Sequence, residues 1–158
     1  MSGKVFKYGD NVNTDVIIPA RYLNDASAEN LRAHAMEDID REFAKRVQPG
    51  DFVVGGYNFG SGSSREHAPL ALKASGVAAV IAKSFARIFF RNAVNIGLYL
   101  IESAQMADEI NKNDTLTIEN DILKDLTTGR SYPLPPMDEH VKNILKCGGL
   151  MEAVKHES

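Results

Sequence analysis

The chain has 158 residues, 44% hydrophobic and 25% charged, with a net charge of −3, which is the make-up of a globular chain long enough to bury a sizeable core, and one domain over residues 1–158 accounts for it. The acidic balance argues against a nucleic-acid binder, which usually carries a basic stripe. No apolar run approaches the roughly 20 residues that cross a bilayer, and Met1-Ser2-Gly3-Lys4-Val5 lacks the apolar stretch of a signal peptide, so a cytoplasmic protein is expected.

In chain order, Val5 to Tyr8 reads as a short strand. A polar turn segment, Gly9 to Asp15, leads into a short apolar run that Pro19 ends. Ser27 is placed to cap a helix carrying Ala28, Leu31 and Ala35, with Glu29 in its first turn. Phe43 and Val47 suggest a second short helix, stopped by Pro49-Gly50. Asp51 to Val54 is β-like, and Pro69 to Ser75 is helix-like up to Gly76. Gly76 to Ala82 is a continuous small-apolar run, the pattern of a strand buried on both faces. Ser84 can cap a helix carrying Phe85, Ile88 and Phe89, and Gly97 opens a strand over Leu98 to Ile101. From Thr115 the pattern becomes an antiparallel meander: Thr115–Ile118, Ile122–Leu126 and Ser131–Leu134, separated by turn residues. Asp138 can cap a last helix through Lys146, ended by Gly148-Gly149. Strands mixed with helices predict an α/β or α+β layered domain.

The segment richest in chemistry joins the second strand to the helix after it: Asn58-Phe59-Gly60-Ser61-Gly62-Ser63-Ser64-Arg65-Glu66-His67-Ala68-Pro69. Strand, glycine-rich turn and helix start is an arrangement that exposes backbone N–H groups able to hold an anion. Arg65 adds a planar guanidinium suited to two-point contact with a carboxylate. A dinucleotide fingerprint fails because Arg65 stands where the third glycine is needed, and no Gly-Lys-Ser/Thr is present for a P-loop. A nucleophile elbow fails because Gly62 stands where its serine belongs. The residues alone fit a flexible Gly/Ser turn as well as a small-anion site. The one cysteine, Cys147, cannot hold an iron–sulfur cluster alone, and the four histidines, His34, His67, His140 and His156, have no metal-ligand spacing.

Three blocks taken together resemble the aconitase superfamily, and within it the small subunits of 3-isopropylmalate dehydratases. They are Asn13 to Leu23 (Asn-Thr-Asp-Val-Ile-Ile-Pro-Ala-Arg-Tyr-Leu), Gly60 to Pro69, and Ala82 to Asn92 (Ala-Lys-Ser-Phe-Ala-Arg-Ile-Phe-Phe-Arg-Asn). Their order and spacing agree with the family from about residue 4 to residue 156. The chain departs at Ser61, where many members carry cysteine. The resemblance implies a swivelling β/β/α domain, the detached counterpart of the mobile C-terminal domain of aconitase. It implies a separate large subunit that holds a [4Fe-4S] cluster, with no cofactor or metal bound by this chain. The implied reaction isomerises 2-isopropylmalate to 3-isopropylmalate by dehydration and rehydration, a step in leucine biosynthesis. Related acids such as homoaconitate, citramalate or dimethylmalate, or a non-catalytic anion-binding role, stay open at this point.

Carried over residue by residue, the resemblance makes Ser63 the catalytic base and Arg65 the ligand of a substrate carboxylate, while Ser64 bonds substrate or orients the loop. Asp15 is expected to orient the site or relay a proton, with a turn or capping role as its plain alternative. Glu66 and His67 are expected to support the helix start, and Lys83 and Arg87 to support the loop through ion pairs. Arg21, Tyr22 and Leu23 lie in the segment where members differ by substrate: an apolar contact there accepts an isopropyl group, a basic one a second carboxylate, and Arg21 leaves the choice open.

Overall fold

The computed structural model describes residues 2–62 and 65–135. Its strands are β1 (Ser2–Lys7), β2 (Phe52–Val54), β3 (Ala79–Ala82), β4 (Leu100–Glu102), β5 (Thr115–Glu119), β6 (Ile122–Asp125) and β7 (Arg130–Pro133). They form one sheet in the order β4-β3-β2-β1-β5-β6-β7. The first four strands of that order are parallel and the last three form an antiparallel meander. β1 joins the two halves by splitting its length: Val5, Phe6 and Lys7 pair with β2, while Ser2, Gly3 and Lys4 pair with β5.

The helices are α1 (Thr14–Ile17), α2 (Ala28–His34), α3 (Phe43–Arg46), α4 (His67–Ala74), α5 (Arg87–Asn95) and α6 (Ala104–Glu109), with a 3₁₀ turn at Ala20–Tyr22. Side chains alternate across a strand, so β2 and β3 feed two cores. Val53, Val80 and Ala82 join Leu31, Phe43, Leu72 and Phe89 on the face covered by α2 to α5. Phe52, Val54, Ala79 and Ile81 join Met106, Ile110, Leu116 and Tyr132 on the other. Burial on both faces explains why β2 and β3 read as unbroken apolar runs.

Ser27 caps α2 as expected, its side chain accepting from Asn30 N–H, and the meander follows its alternating pattern. Three expectations need correction. Ser84 does not cap the following helix. α5 begins at Arg87 behind Ala86, and Ser84 Oγ instead accepts from Asn58 N–H at 2.8 Å. The turn segment and the apolar run before Pro19 contain a short helix where none was expected, because the Asn13 side chain accepts from Val16 N–H and starts α1. α6, absent from the sequence reading, is started by Ser103, which accepts from Met106 N–H. The helix expected from Asp138 to Lys146 lies outside the described residues.

Candidate functional site

Residues 55–62 leave the carboxyl end of β2 and are held from both sides, by residues 10–14 at the start of the first sequence block and by the third block. On one side, Gly60 N–H donates to Val12 O at 2.7 Å and Thr14 N–H to Ser61 O at 2.8 Å. On the other, Phe59 N–H donates to Ser84 O at 3.0 Å and Lys83 N–H to Gly56 O at 3.0 Å. Asp10 Oδ1 accepts from Tyr57 N–H at 2.8 Å. Phe59 is fully buried, with its ring 5.8 Å from Phe85 and 5.6 Å from Phe89. Gly60 has φ +84 and lies so close over Phe89 that a Cβ would overlap that ring. Only glycine meets both demands.

Arg65 stands at the end of this turn, two residues before α4, and its guanidinium pairs with the carboxylate of Asp15, 50 residues away in sequence. The Arg65 side chain is 24% exposed and that of Asp15 65%. Asp15 sits in the first turn of α1, where Asn13 already supplies the cap. The cap bond of α1 is therefore made by Asn13 and not by Asp15. Ser63 and Ser64, expected as base and substrate contact, lie outside the described residues.

Glu66 occupies the cap position of α4 with helical backbone angles and makes no side-chain capping bond. His67 is half-buried in the first turn, and Pro69 fits there because an N–H at that position needs no intrahelical partner. Lys83 Nζ pairs with Asp108 of α6 at 2.8 Å and lies 5.1 Å from the Tyr57 ring centre on the loop. The bond to Asp108 raises its pKa. Arg87 is exposed and forms no ion pair with the described residues.

Arg21, Tyr22 and Leu23 are held by a network that the sequence did not announce. Arg21 contacts Glu37 Oε2 at 2.8 Å and Asp38 Oδ1 at 2.6 Å. The Tyr22 hydroxyl donates to Glu37 Oε2 at 2.5 Å, and its ring stacks on His34 at 3.7 Å. The Tyr22 hydroxyl first, then His34, lower the Glu37 pKa to about 2. Two carboxylates therefore cancel the Arg21 charge, and half-buried Leu23 packs against the core beside it. Nothing local in Met36-Glu37-Asp38-Ile39-Asp40 marks Glu37 and Asp38 for this task.

The chain and its fold are similar to known proteins over nearly the whole length. The aconitase C-terminal domain profile matches residues 9–106. The chain is 52% identical to the 3-isopropylmalate dehydratase small subunit of Caldanaerobacter subterraneus subsp. tengcongensis, over 99% of both chains. It belongs to the 3-isopropylmalate dehydratase small-subunit family. The Aquifex aeolicus small subunit is 53% identical over 98% of this chain and 94% of its own length. A crystal structure of 3-isopropylmalate dehydratase (leuD) from Methanocaldococcus jannaschii superposes with a TM-score of 0.91 at 41% identity, covering 99% of this chain and 93% of that one. The fold is thus the swivelling β/β/α domain of the aconitase superfamily, and the family's chemistry is that of a hydro-lyase.

Proposed function

We propose that this chain is the small subunit of a 3-isopropylmalate dehydratase and supplies the carboxylate grip and the base, with Arg65 as the clamp and Ser63 as the proton acceptor. The observation that carries the proposal is the pairing of Arg65, two residues before α4, with an exposed carboxylate, Asp15. An exposed ion pair is worth about 0–1 kcal/mol. A substrate carboxylate can replace Asp15 at little cost, and a bidentate contact then fixes its plane. Asp15 keeps the guanidinium aimed between turnovers.

In the reaction, a base removes a proton from the carbon α to a carboxylate and the hydroxyl leaves the neighbouring carbon as hydroxide, giving an alkene. Water returns with the two positions exchanged, and 3-isopropylmalate results. A serine hydroxyl acts as base only where a cation and backbone N–H donors stabilise its alkoxide. Arg65, next but one to Ser63 in sequence, supplies the cation.

One cysteine in the whole chain cannot furnish the several thiolates of a [4Fe-4S] cluster, and no group of three or more His, Cys, Asp or Glu among the described residues could hold a metal. These residues do not fit the cluster, which in this reading belongs to a large-subunit partner together with the fate of the departing hydroxide. With Arg21 neutralised, the segment through Leu23 favours an isopropyl arm over a second carboxylate. No helix among the described residues is long and apolar enough to cross a membrane, and the location in this reading is cytoplasmic.

The test is reconstitution with the large subunit. The assembled pair isomerises 2-isopropylmalate, and this chain alone, given iron and sulfide, does not; turnover without a partner overturns the division of labour. In the assembled enzyme, Ser63→Ala stops exchange of the substrate α-proton with deuterated solvent, so kcat falls far more than KM rises. Ser64→Ala gives a milder, mixed defect. Exchange that persists in Ser63→Ala and vanishes in Ser64→Ala would reverse the two roles.

A further inference from the structure

Beside the loop lies an uncovered surface that the chemistry above does not use. β2 and β3 run parallel, so the segments leaving their carboxyl ends lie side by side, and Phe59 and Phe85 meet in a parallel bridge. From Phe85 a chain of rings runs outward, with Phe85 stacked 6.3 Å from buried Phe89 and edge-on at 6.0 Å to Phe90. On α5, Ile88 is 51% and Phe90 40% exposed, and Tyr57 on the loop itself is 51% exposed. A hollow of about 640 Å³ opens here between Phe85, Arg87, Phe90, Arg91 and Glu102. Arg87 and Arg91 stand one helical turn apart and make no ion pair with the described residues. Glu102, the one acid in the hollow, accepts from Phe85 N–H at 3.2 Å.

We propose that this α5 face is where the large subunit docks, presenting an apolar side chain flanked by carboxylates. The inference rests on the reading under Proposed function, because a loop that must meet a site completed by another chain needs a partner surface at its rim. Charge selects the occupant. Two arginines around an apolar centre match an acidic rim, and an interface core enriched in aromatic and arginine side chains is what stable contacts use. A second copy of this chain is disfavoured, since a two-fold contact through this face would bring Arg87 and Arg91 against their own equivalents. Docking here also bears on the loop, because Phe90, Phe85 and Phe59 form one packed series ending next to Gly60.

The experiment uses the full chain and its large subunit. Arg91→Glu is expected to weaken assembly by roughly tenfold or more in Kd, as reversal of an interfacial charge does, while kcat at saturating variant stays near wild type. Phe90→Ser weakens assembly too, and Lys124→Glu, on β6, leaves it unchanged. Hydrogen exchange on the wild-type pair shows protection across residues 87–95, which decides the matter even if a variant fails to fold. An unaltered Kd for folded Arg91→Glu, or protection elsewhere but not at α5, overturns the proposal. Self-association of the chain alone that Phe90→Ser abolishes also overturns it, in favour of a second copy. A wild-type pair that assembles with α5 protected yet does not isomerise 2-isopropylmalate defeats the enzymatic reading and leaves the docking surface standing.

Discussion

Gly60 and Gly129 have almost the same backbone, φ +84 and +81, in opposite surroundings. At Gly60, on the loop after β2, an added Cβ would come within 2.1 Å of Phe89 Cγ. At Gly129, in the turn between β6 and β7, it would meet nothing within 4 Å. The contrast extends to the halves of the sheet they belong to. In the parallel half β2 and β3 are buried on both faces, and Arg65, Lys83 and Arg87 follow the carboxyl ends of its strands, Arg87 as the first residue of α5. The meander alternates buried and exposed positions and carries none of the proposed site residues among those described. A site that must hold a guanidinium in place is better built on the half with the denser support.

The largest effect expected from this division is on the site and not on the fold. Arg65→Lys keeps the charge and loses the two-point grip, so kcat/KM in the assembled enzyme should fall by about two orders of magnitude, or ~2.7 kcal/mol. The melting temperature should stay within about 2 °C of wild type, because an exposed pair contributes little. A near wild-type rate would remove Arg65 as the clamp.

The two glycines give the next contrast. Gly60→Ala combines left-handed backbone strain with overlap against Phe89, for a loss of roughly 2–4 kcal/mol, or about 5–15 °C in Tm. Gly129→Ala carries the backbone strain alone, about 1 kcal/mol and roughly 2–4 °C. Equal losses in calorimetry would mean that packing under the loop is no tighter than in the free turn.

The smallest effect belongs to the meander. Asp125 is 1% exposed, and its Oδ2 is a buried side-chain atom without a hydrogen-bond partner, although Oδ1 accepts from Thr127 and Thr128 N–H. Burial, and then the neighbouring Asp114 side chain, raise the Asp125 pKa above its ordinary 3.8. Two carboxylates offer only acceptors to each other, so the folded state holds a proton there more tightly than the unfolded chain does. That stabilisation is complete below the unfolded pKa and is lost as pH rises through the higher folded one. Asp125→Asn keeps the Oδ1 acceptor and turns an N–H donor toward Asp114. It should raise Tm at neutral pH by roughly 2–4 °C, about 1 kcal/mol, and flatten the decline of Tm above about pH 4. A variant less stable than wild type at neutral pH would show that the proton is not held at this pair.

The sequence by itself settled what depends on neighbours along the chain. The β-like run at Asp51–Val54 marked a strand, the unbroken small-apolar run at Gly76–Ala82 marked a buried one, the alternation after Thr115 marked the meander, and Ser27 marked the start of α2. The three sequence blocks also carried the family, because their residues and spacing are seldom found together. Short helices escaped it. α1 spans four residues and α6 six, too few for a helical period to emerge, and only the caps at Asn13 and Ser103 signalled them. Ser84 misled because the signature of a cap is local, while its actual partner, Asn58 N–H, arrives from 26 residues away. Partners of charge belonged wholly to the tertiary structure. Asp15 reaches Arg65 across 50 residues, Glu37 and Asp38 reach Arg21 across 16 and 17, and Lys83 finds Asp108 only because α6 packs against β3. No periodicity encodes such pairs. Asp15–Arg65 and Lys83–Asp108 form because neighbouring parallel strands place the segments that follow them side by side, an adjacency set by strand order in the folded sheet, whereas Arg21 meets Glu37 and Asp38 because the long connection between β1 and β2 folds back on itself.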